Sequence, residues 1–323
     1  MKAISMDEND IATIDPSKCV NCGACVVGCP FGAISDVSMM TSVIDALMDD
    51  TKRVVALIAP AIEGQFGSAT LPQIKQAIRR LGFSDVVEVA LGADMVAYHE
   101  AQELLERKSD GKAMTSSCCP AFVNMVRKHF PDLLPFVSNT VSPMIAAERY
   151  VRSKCPDVVT VFIGPCIAKK NEVMGSYIQE MDYAITFEEL YAMLCAKGIE
   201  ADGEDTTPEE ATRYGKGFAL SGGVAGAVSR VLEEKERDPQ QVEAMPCNGA
   251  EECRKALLLL KAGKLKADFI EGMFCVGGCM GGPANLQELQ KSQKVFAGRL
   301  NGADCITENV KGNGLDTTDV SRS

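Results

Sequence analysis

The chain is short of positive charge. Its 33 Lys and Arg stand against 44 Asp and Glu, a net charge of −11 over 323 residues. That balance argues against nucleic acid or an anionic membrane surface as the main partner. Long apolar runs are also missing: stretches such as VVALIAPAI (54–62) are too short to span a bilayer. The start, MKAISMDEND, lacks the apolar core of a signal peptide, so the sequence reads as cytoplasmic. Its 14 cysteines are too sparse for a disulfide scaffold, in which cysteine exceeds ~8–10% of residues. What remains is a chain that is 46% hydrophobic. It is long enough for one large domain or two to three small ones, each with a packed core.

The cysteines cluster at 19, 22, 25 and 29, at 118 and 119, at 166, and at 275 and 279. In a reducing compartment such clustering points to metal binding or chemistry. Cys155, Cys195, Cys247, Cys253 and Cys305 are more scattered and read as small buried hydrophobes, although MPCNGAEEC around Cys247 and Cys253 has a ligand-like look. The run KCVNCGACVVGCPFGAI (18–34) contains C-x2-C-x2-C-x3-C-P. Thiolates at that spacing wrap a 4Fe–4S cube, whereas zinc favours two separated C-x2-C pairs. In two-cluster ferredoxins the fourth cysteine of each run serves the other cluster, so Cys29 either completes the site of Cys19, Cys22 and Cys25 or stands apart from it.

Strand and helix signals alternate downstream. VVALIAPAI, DVVEVAL (85–91), KAMTSS (112–117), DVVTVFIGPC (157–166) and the start of KADFIEGMFCVGGCMGG (266–282) read as strands. LPQIKQAIRRLGF (71–83), GADMVAYHEAQELLERK (92–108), AFVNMVRKHF (121–130) and TFEELYAMLCAKG (186–198) read as helices. FALSGGVAGAVSRVLEE (218–234) reads as strand, glycine turn and helix, the turn serving close backbone approach rather than the weaker alternative of cradling a phosphate. Residues 199–217 read as a polar, irregular connection, and the tail after about 300 as loose. The alternation predicts α/β architecture with parallel strands. In such sheets ligands sit past the carboxyl ends of strands, and Cys118, Cys119, Cys166, Cys275 and Cys279 all fall there.

TSSCCP (115–120), GPCIAKKNE (164–172) and EGMFCVGGCMGGP (271–283) resemble, in order, the three signature loops of the FeFe-hydrogenases. The similarity covers roughly 54–290, and GGP closing the third loop looks like the shorter, group B form. AISMDENDIATIDPSK before the first cysteine run resembles the middle of a two-cluster ferredoxin. The resemblance implies a two-lobed domain (50–298) with parallel sheets and an H-cluster in its cleft. A partial ferredoxin-like segment (1–38) precedes it, and a polar tail (299–323) follows. The H-cluster is a 4Fe–4S cube joined through a cysteine sulfur to a two-iron unit carrying CO, cyanide and an azadithiolate.

Carried over by motif, Cys119, Cys166, Cys275 and Cys279 resemble the cube ligands, Cys279 the bridge to the two-iron unit, and Cys118 the thiol that passes protons. Lys169 resembles the lysine that hydrogen-bonds a cyanide. Pro60, Pro143, Phe218 and Met273 match positions around the two-iron unit. Glu100, Glu103 and Arg107 share one helix face at i, i+3 and i+7. With Ser138 they resemble the family's proton path, while His99 reads as a surface histidine. The sequence departs from the pattern at several points. The first loop carries one extra serine, Ser116 or Ser117. Phe122 stands for a tryptophan, Gly164 for a methionine, Ala61 for a serine and Phe274 for a small residue. The third loop lacks a glycine and a glutamine before its proline.

The function implied is reversible H2 oxidation and proton reduction, with electrons exchanged with ferredoxin or a similar carrier and the two-iron unit delivered by maturation proteins. Two other classes compete. One is a non-catalytic scaffold of iron–sulfur assembly, against which Cys118 speaks. The other is a hydrogen sensor, which would carry a signalling domain that the tail does not resemble.

Overall fold

The computed structural model describes residues 1–175, 180–203, 210–235 and 242–322. A hairpin opens the chain: β1 (Ile4–Met6) pairs antiparallel with β2 (Ala12–Ile14), both strands exposed. The first cysteine run follows, with the short helix α1 (Ala24–Gly28), and then α2 (Met40–Met48).

Two parallel sheets form the body. In the first, β3 (Arg53–Ile58), β4 (Asp85–Glu88), β6 (Val158–Gly164) and β7 (Tyr183–Thr186) lie in the order β4-β3-β6-β7. The apolar runs VVALI and VVTVFIG are buried on nearly every residue, because helices cover both faces of a parallel sheet. In the second, β5 (Met114–Thr115), β8 (Ala244–Asn248) and β9 (Phe269–Met273) lie in the order β5-β9-β8, all parallel. Each lobe has its own sheet, and the parallel α/β architecture expected from the sequence is present.

The connections are helical. They are α3 (Leu71–Arg80), α4 (Val89–Ser109), α5 (Pro120–His129), α6 (Pro143–Lys154), α7 (Ile167–Met174) and α8 (Phe187–Lys197). Then come α9 (Arg213–Gly217), α10 (Gly223–Glu234), α11 (Ala250–Lys261), α12 (Leu289–Arg299) and α13 (Ile306–Gly312). Capping boxes start α3 (Thr70 with Gln73) and α8 (Thr186 with Glu189). The central helix is α4, which packs on α6, α9, α10 and α13. At Gly92 a Cβ would run into the carbonyl oxygen of Pro143, so glycine sets how closely α4 and α6 approach.

Several expectations are corrected. The strand expected over 85–91 stops at Glu88 and α4 begins at Val89, because the run VVEVALGADMVA is buried at every position but Val87 and carries no clear period to mark the change. The strand expected over 54–62 ends at Ile58, and Pro60–Ile62 forms a 3-10 turn. Residues 218–221 are not a strand: Phe218, Ala219 and Leu220 donate backwards to Gly215, Lys216 and Gly217, continuing the coil of α9. The carboxylate of Glu271 accepts the N–H groups of Gly222 (2.7 Å) and Ala225 (2.9 Å) at the start of α10, so the amides a phosphate would need are already taken.

Within the connection 199–217, residues 204–209 lie outside the described residues, and 213–217 are helical. The tail expected to be loose folds back instead. Ile306, Val310 and Leu315 are fully buried and Asn309 donates to Asp94 on α4 (2.9 Å). Cys195 is exposed rather than buried, whereas Cys247 and Cys253 are buried.

Replacing Gly92 by Ala forces a methyl group into backbone that cannot move aside. Urea unfolding should register a loss of about 1–3 kcal/mol or more. An unchanged midpoint would mean that α6 gives way easily.

Candidate functional site

Three loops leave the carboxyl ends of strands from both sheets. Cys118 and Cys119 follow β5, with Cys119 capping the start of α5. Cys166 follows β6 and caps α7. Cys275 and Cys279 follow β9, where the chain turns through Gly277 and Gly278 at positive φ. A Cβ at Gly278 would strike the backbone of 219–221, so this turn tolerates little else. Two of the cysteines thus sit at helix N-termini, where the helix dipole favours negative charge.

Three of these thiols are made harder to ionise by their neighbours. Burial and then the neighbouring Cys119 push Cys166 up to about 12. Burial, Cys166 and Cys119 push Cys279 up to about 12. Cys275 is raised further by burial, Cys166, Cys119 and Cys279. Unaided, this site cannot hold several thiolates. Bound here, a cationic iron–sulfur core would supply the missing charge, with Cys119, Cys166, Cys275 and Cys279 as the donors that would hold it.

An apolar cavity opens against these thiols. Cys118, Cys119, Cys166, Cys279 and Lys169 line it, together with the expected Pro60, Pro143, Phe218 and Met273. Sequence reasoning missed Phe162 in its wall. Its ring fills the space a side chain at Gly164 would occupy, which explains why a glycine stands there. In the same way the ring of Phe122 packs onto Gly272 of β9.

The adjacent lysines have separate partners. Lys169 Nζ donates to Glu172 (2.7 Å) at the cavity. Lys170, almost fully buried, pairs with Glu189 (2.7 Å) and with Asp36.

Behind the first loop lie the acids of α4. Glu100 is fully buried; its Oε1 accepts the amide of Ser117 (3.1 Å) and the hydroxyl of Thr140 (3.2 Å), and its Oε2 has no partner among the described residues. Burial is the main cause that raises its carboxyl to about 7. Glu103 accepts the hydroxyl of Ser138 (2.7 Å) and is held by Arg107 at 2.6 and 2.9 Å. Arg107 also donates to the carbonyls of Pro135 and Val137. Cys118 is buried, and burial and then Glu100 hold its thiol well above the ordinary value. His99 is corrected from a surface residue: it is half-buried with its ring edge-on to Tyr98, and burial lowers its pKa.

The amino-terminal segment docks on the second and third loops. Cys19, Cys22 and Cys25 line one cavity with Ile14, Ile34 and Ile167. Cys29 is not part of that lining; its sulfur accepts the amide of Ala33 at 3.3 Å. Gly23 has φ +75°, and a Cβ there would collide with Ile167 and Pro283 at 2.7 Å. Cys22 is close enough to Cys275 to raise its pKa. Lys128 donates to the carbonyls of Pro16 (2.8 Å) and Cys19 (2.6 Å), and Lys170 holds Asp36.

The family described as iron only hydrogenase large subunit, C-terminal domain, matches residues 52–283. The chain belongs to that family. A 4Fe-4S binding domain matches residues 12–35, which include all four cysteines of the first run. Among curated relatives, the NADP-reducing hydrogenase subunit HndD of Solidesulfovibrio fructosivorans is 28% identical over 82% of this chain and 55% of its own length. The periplasmic Fe hydrogenase large subunit of Nitratidesulfovibrio vulgaris is 29% identical over 85% of this chain and 86% of its own. A probable cytosolic Fe-S cluster assembly factor, oxy-4 of Caenorhabditis elegans, is 25% identical over 87% of this chain and 73% of its own. The chain therefore spans only about half the length of the first of these relatives. A solved FeFe-hydrogenase, a variant of HydA1 from Chlamydomonas reinhardtii, shares the fold with a TM-score of 0.66 at 24% identity, over 80% of this chain and 88% of that one. No helix among the described residues is long and apolar enough to cross a membrane.

Within this family fold, Lys170 ties the cluster-binding segment to α7 and α8. Lys170→Met leaves two carboxylates without their cation and should cost about 1–3 kcal/mol. Limited proteolysis should then cut near 36–40 faster than in the parent. Equal cutting rates would show that the segment is held by its other contacts alone.

Proposed function

We propose that this chain catalyses reversible reduction of two protons by two electrons to H2 at an H-cluster. The observation that carries the reading is Cys118, a fifth thiol buried in the cavity that Cys119, Cys166 and Cys279 also line. It is spare to a four-ligand cube and stands next to a buried acid. Cys119, Cys166, Cys275 and Cys279 would hold the cube, with Cys279 shared with the two-iron unit. When bound, that cofactor supplies the redox chemistry that makes and splits the H–H bond.

The chain's own groups handle the proton. The raised pKa keeps Cys118 protonated at neutral pH, so it can give a proton and be refilled from the relay behind it. Glu100, at about 7, holds and releases a proton with little driving force either way. Ser138, Glu103 and Arg107 continue outward. Lys169 offers a fixed ammonium to an anionic ligand such as cyanide. Pro60, Pro143, Phe218 and Met273 keep water out.

Electrons would enter through the cluster of residues 1–38 and cross from Cys22 to Cys275, delivered by ferredoxin or a similar carrier in the cytoplasm. Residues 50–298 form the catalytic unit that maturation proteins load. The relative described as an assembly factor supports a second reading, in which the same fold carries clusters without turnover.

Loading with a two-iron mimic, infrared bands of bound CO and cyanide, and hydrogen evolution from reduced methyl viologen separate the two readings. Cys118→Ser should keep iron and bands and lose about 10²–10⁴ of turnover, as removal of a proton-transfer group does. Cys119→Ser should block cube assembly. A parent with full bands and no hydrogen, or a Cys118→Ser variant at the parent rate, defeats the proposal.

A further inference from the structure

Two carboxylates in sequence on α4 are not by themselves a relay, because a proton needs an unbroken run of hydrogen bonds between them. No direct hydrogen bond joins Glu100 to Glu103 among the described residues. Ser138 Oγ donates to Glu103 (2.7 Å) and is near enough to Glu100 to favour its ionised form, but no direct hydrogen bond between Ser138 and Glu100 is found among the described residues. The bonds that do close the gap run through Thr140. Its hydroxyl donates to Glu100 Oε1 (3.2 Å) and lies 2.9 Å from Ser138 Oγ and 2.8 Å from Ser117 Oγ. All of these side chains but Glu103 are buried: Thr140 is 4% exposed, Ser117 and Ser138 1%, and Glu100 0%. Water has little room to substitute.

We propose that Thr140 is a further relay residue whose hydroxyl joins Glu100 to Ser138, and that residues 318–322 hold it in that position. The proposal rests on the hydrogenase reading above and deepens it. The step balances. Protonated Glu100 gives its proton to Thr140 Oγ1 as Thr140 passes its own to Ser138 Oγ and Ser138 passes its own to Glu103. Each hydroxyl breaks one O–H bond and forms one, and one proton has moved from Glu100 to Glu103.

Thr140 sits on an irregular stretch, 138–142, that needs outside support to hold three hydroxyls in register. The tail provides it. Ser321 bridges Thr140 antiparallel, the amide of Val141 donates to Val320 (2.8 Å), and the amide of Arg322 donates to Asn139. Val320 is 4% exposed, and Arg149 clamps the carbonyls of Asp319 and Ser321 at 2.8 Å each. Arg322 reaches the carbonyl of Ser117 at 3.5 Å.

Thr140→Val removes the hydroxyl at nearly constant shape; Thr140→Ser keeps it. The first measurement uses the cluster-free chain and the carboxyl infrared band of Glu100, assigned by its loss in Glu100→Gln. Charges facing Glu100 are Glu103 on its own helix, Cys118 on the first loop and Arg322 in the tail. In the parent the band should titrate near 7. In Thr140→Val it should titrate higher, because a donor to the ionised form is gone, while Thr140→Ser should match the parent.

The second measurement uses the loaded enzyme. Thr140→Val should lose at least about tenfold in hydrogen evolution with iron content and infrared bands intact, and show a larger solvent isotope effect; Thr140→Ser should restore most of the rate. If Thr140→Val does not accumulate as folded protein, Thr140→Ala replaces it with the same expectation. A loaded parent that makes no hydrogen overturns the hydrogenase reading and the relay together. An active parent with Thr140→Val within about twofold of it, or with Glu100 titrating unchanged, overturns the relay alone.

Discussion

Like charges cannot share a dry cavity, and the site is organised around that constraint. Cys119, Cys166, Cys275 and Cys279 come from three loops on two sheets, and Cys166, Cys275 and Cys279 are each made harder to ionise by neighbouring thiols. Thiolates could exist together there only with something cationic among them, which is what the proposed cluster would supply. The geometry prepares for it: Cys119 and Cys166 cap helices, whose dipoles offer partial positive charge. The third loop turns so tightly that Gly278 leaves no space for a side chain. Strand order places all three loops at carboxyl ends because both sheets are parallel.

The same constraint reaches outward along two routes. Toward the amino terminus, Cys22 comes close enough to Cys275 for their charges to interact, and this proximity depends on Gly23 fitting against Ile167 and Pro283. That contact is fastened by buried charge, Lys170 between Asp36 and Glu189, rather than by apolar packing alone. Toward α4, the contact is through hydroxyls and acids behind the first loop. The first route meets the site at the second and third loops, and the other at the first.

Much of the site was legible because its chemistry needs fixed residue types. Few residues can stand in for a thiolate at an iron–sulfur cube, so the cysteine spacing and the three loops stood out, and the structure brings Cys118, Cys119, Cys166 and Cys279 to one cavity. What was not legible depends on contacts across the chain. The segment AMPCN gave no strand signal, since Pro246 cannot donate within a ladder; it fits because β8 is an edge strand. The start of α4 was misplaced by three residues because burial on all sides erases periodicity. Lys169 was assigned to the site by resemblance and lines the cavity; what employs Lys170 was not legible, because it turns on Asp36, 134 residues away. The tail looked polar, and its order comes from a few apolar residues, Ile306, Val310, Leu315 and Val320, spaced too widely to form a pattern.

The extra serine in the first loop ties these observations together. An extra residue beside Cys118 and Cys119 would normally need compensation, because the loop's length sets where the thiols point. Here the insertion is absorbed toward α4. Ser116 Oγ accepts the amide of Gly272 on β9 (3.0 Å), and Ser117 turns both its amide and its hydroxyl onto Glu100. Those donors offset part of the desolvation that raises the Glu100 carboxyl. The longer loop thus anchors itself on a buried acid and lowers the cost of keeping that acid buried. Cys118 and Cys119 stay side by side at the cavity, one beside the acid and one beside the other thiols.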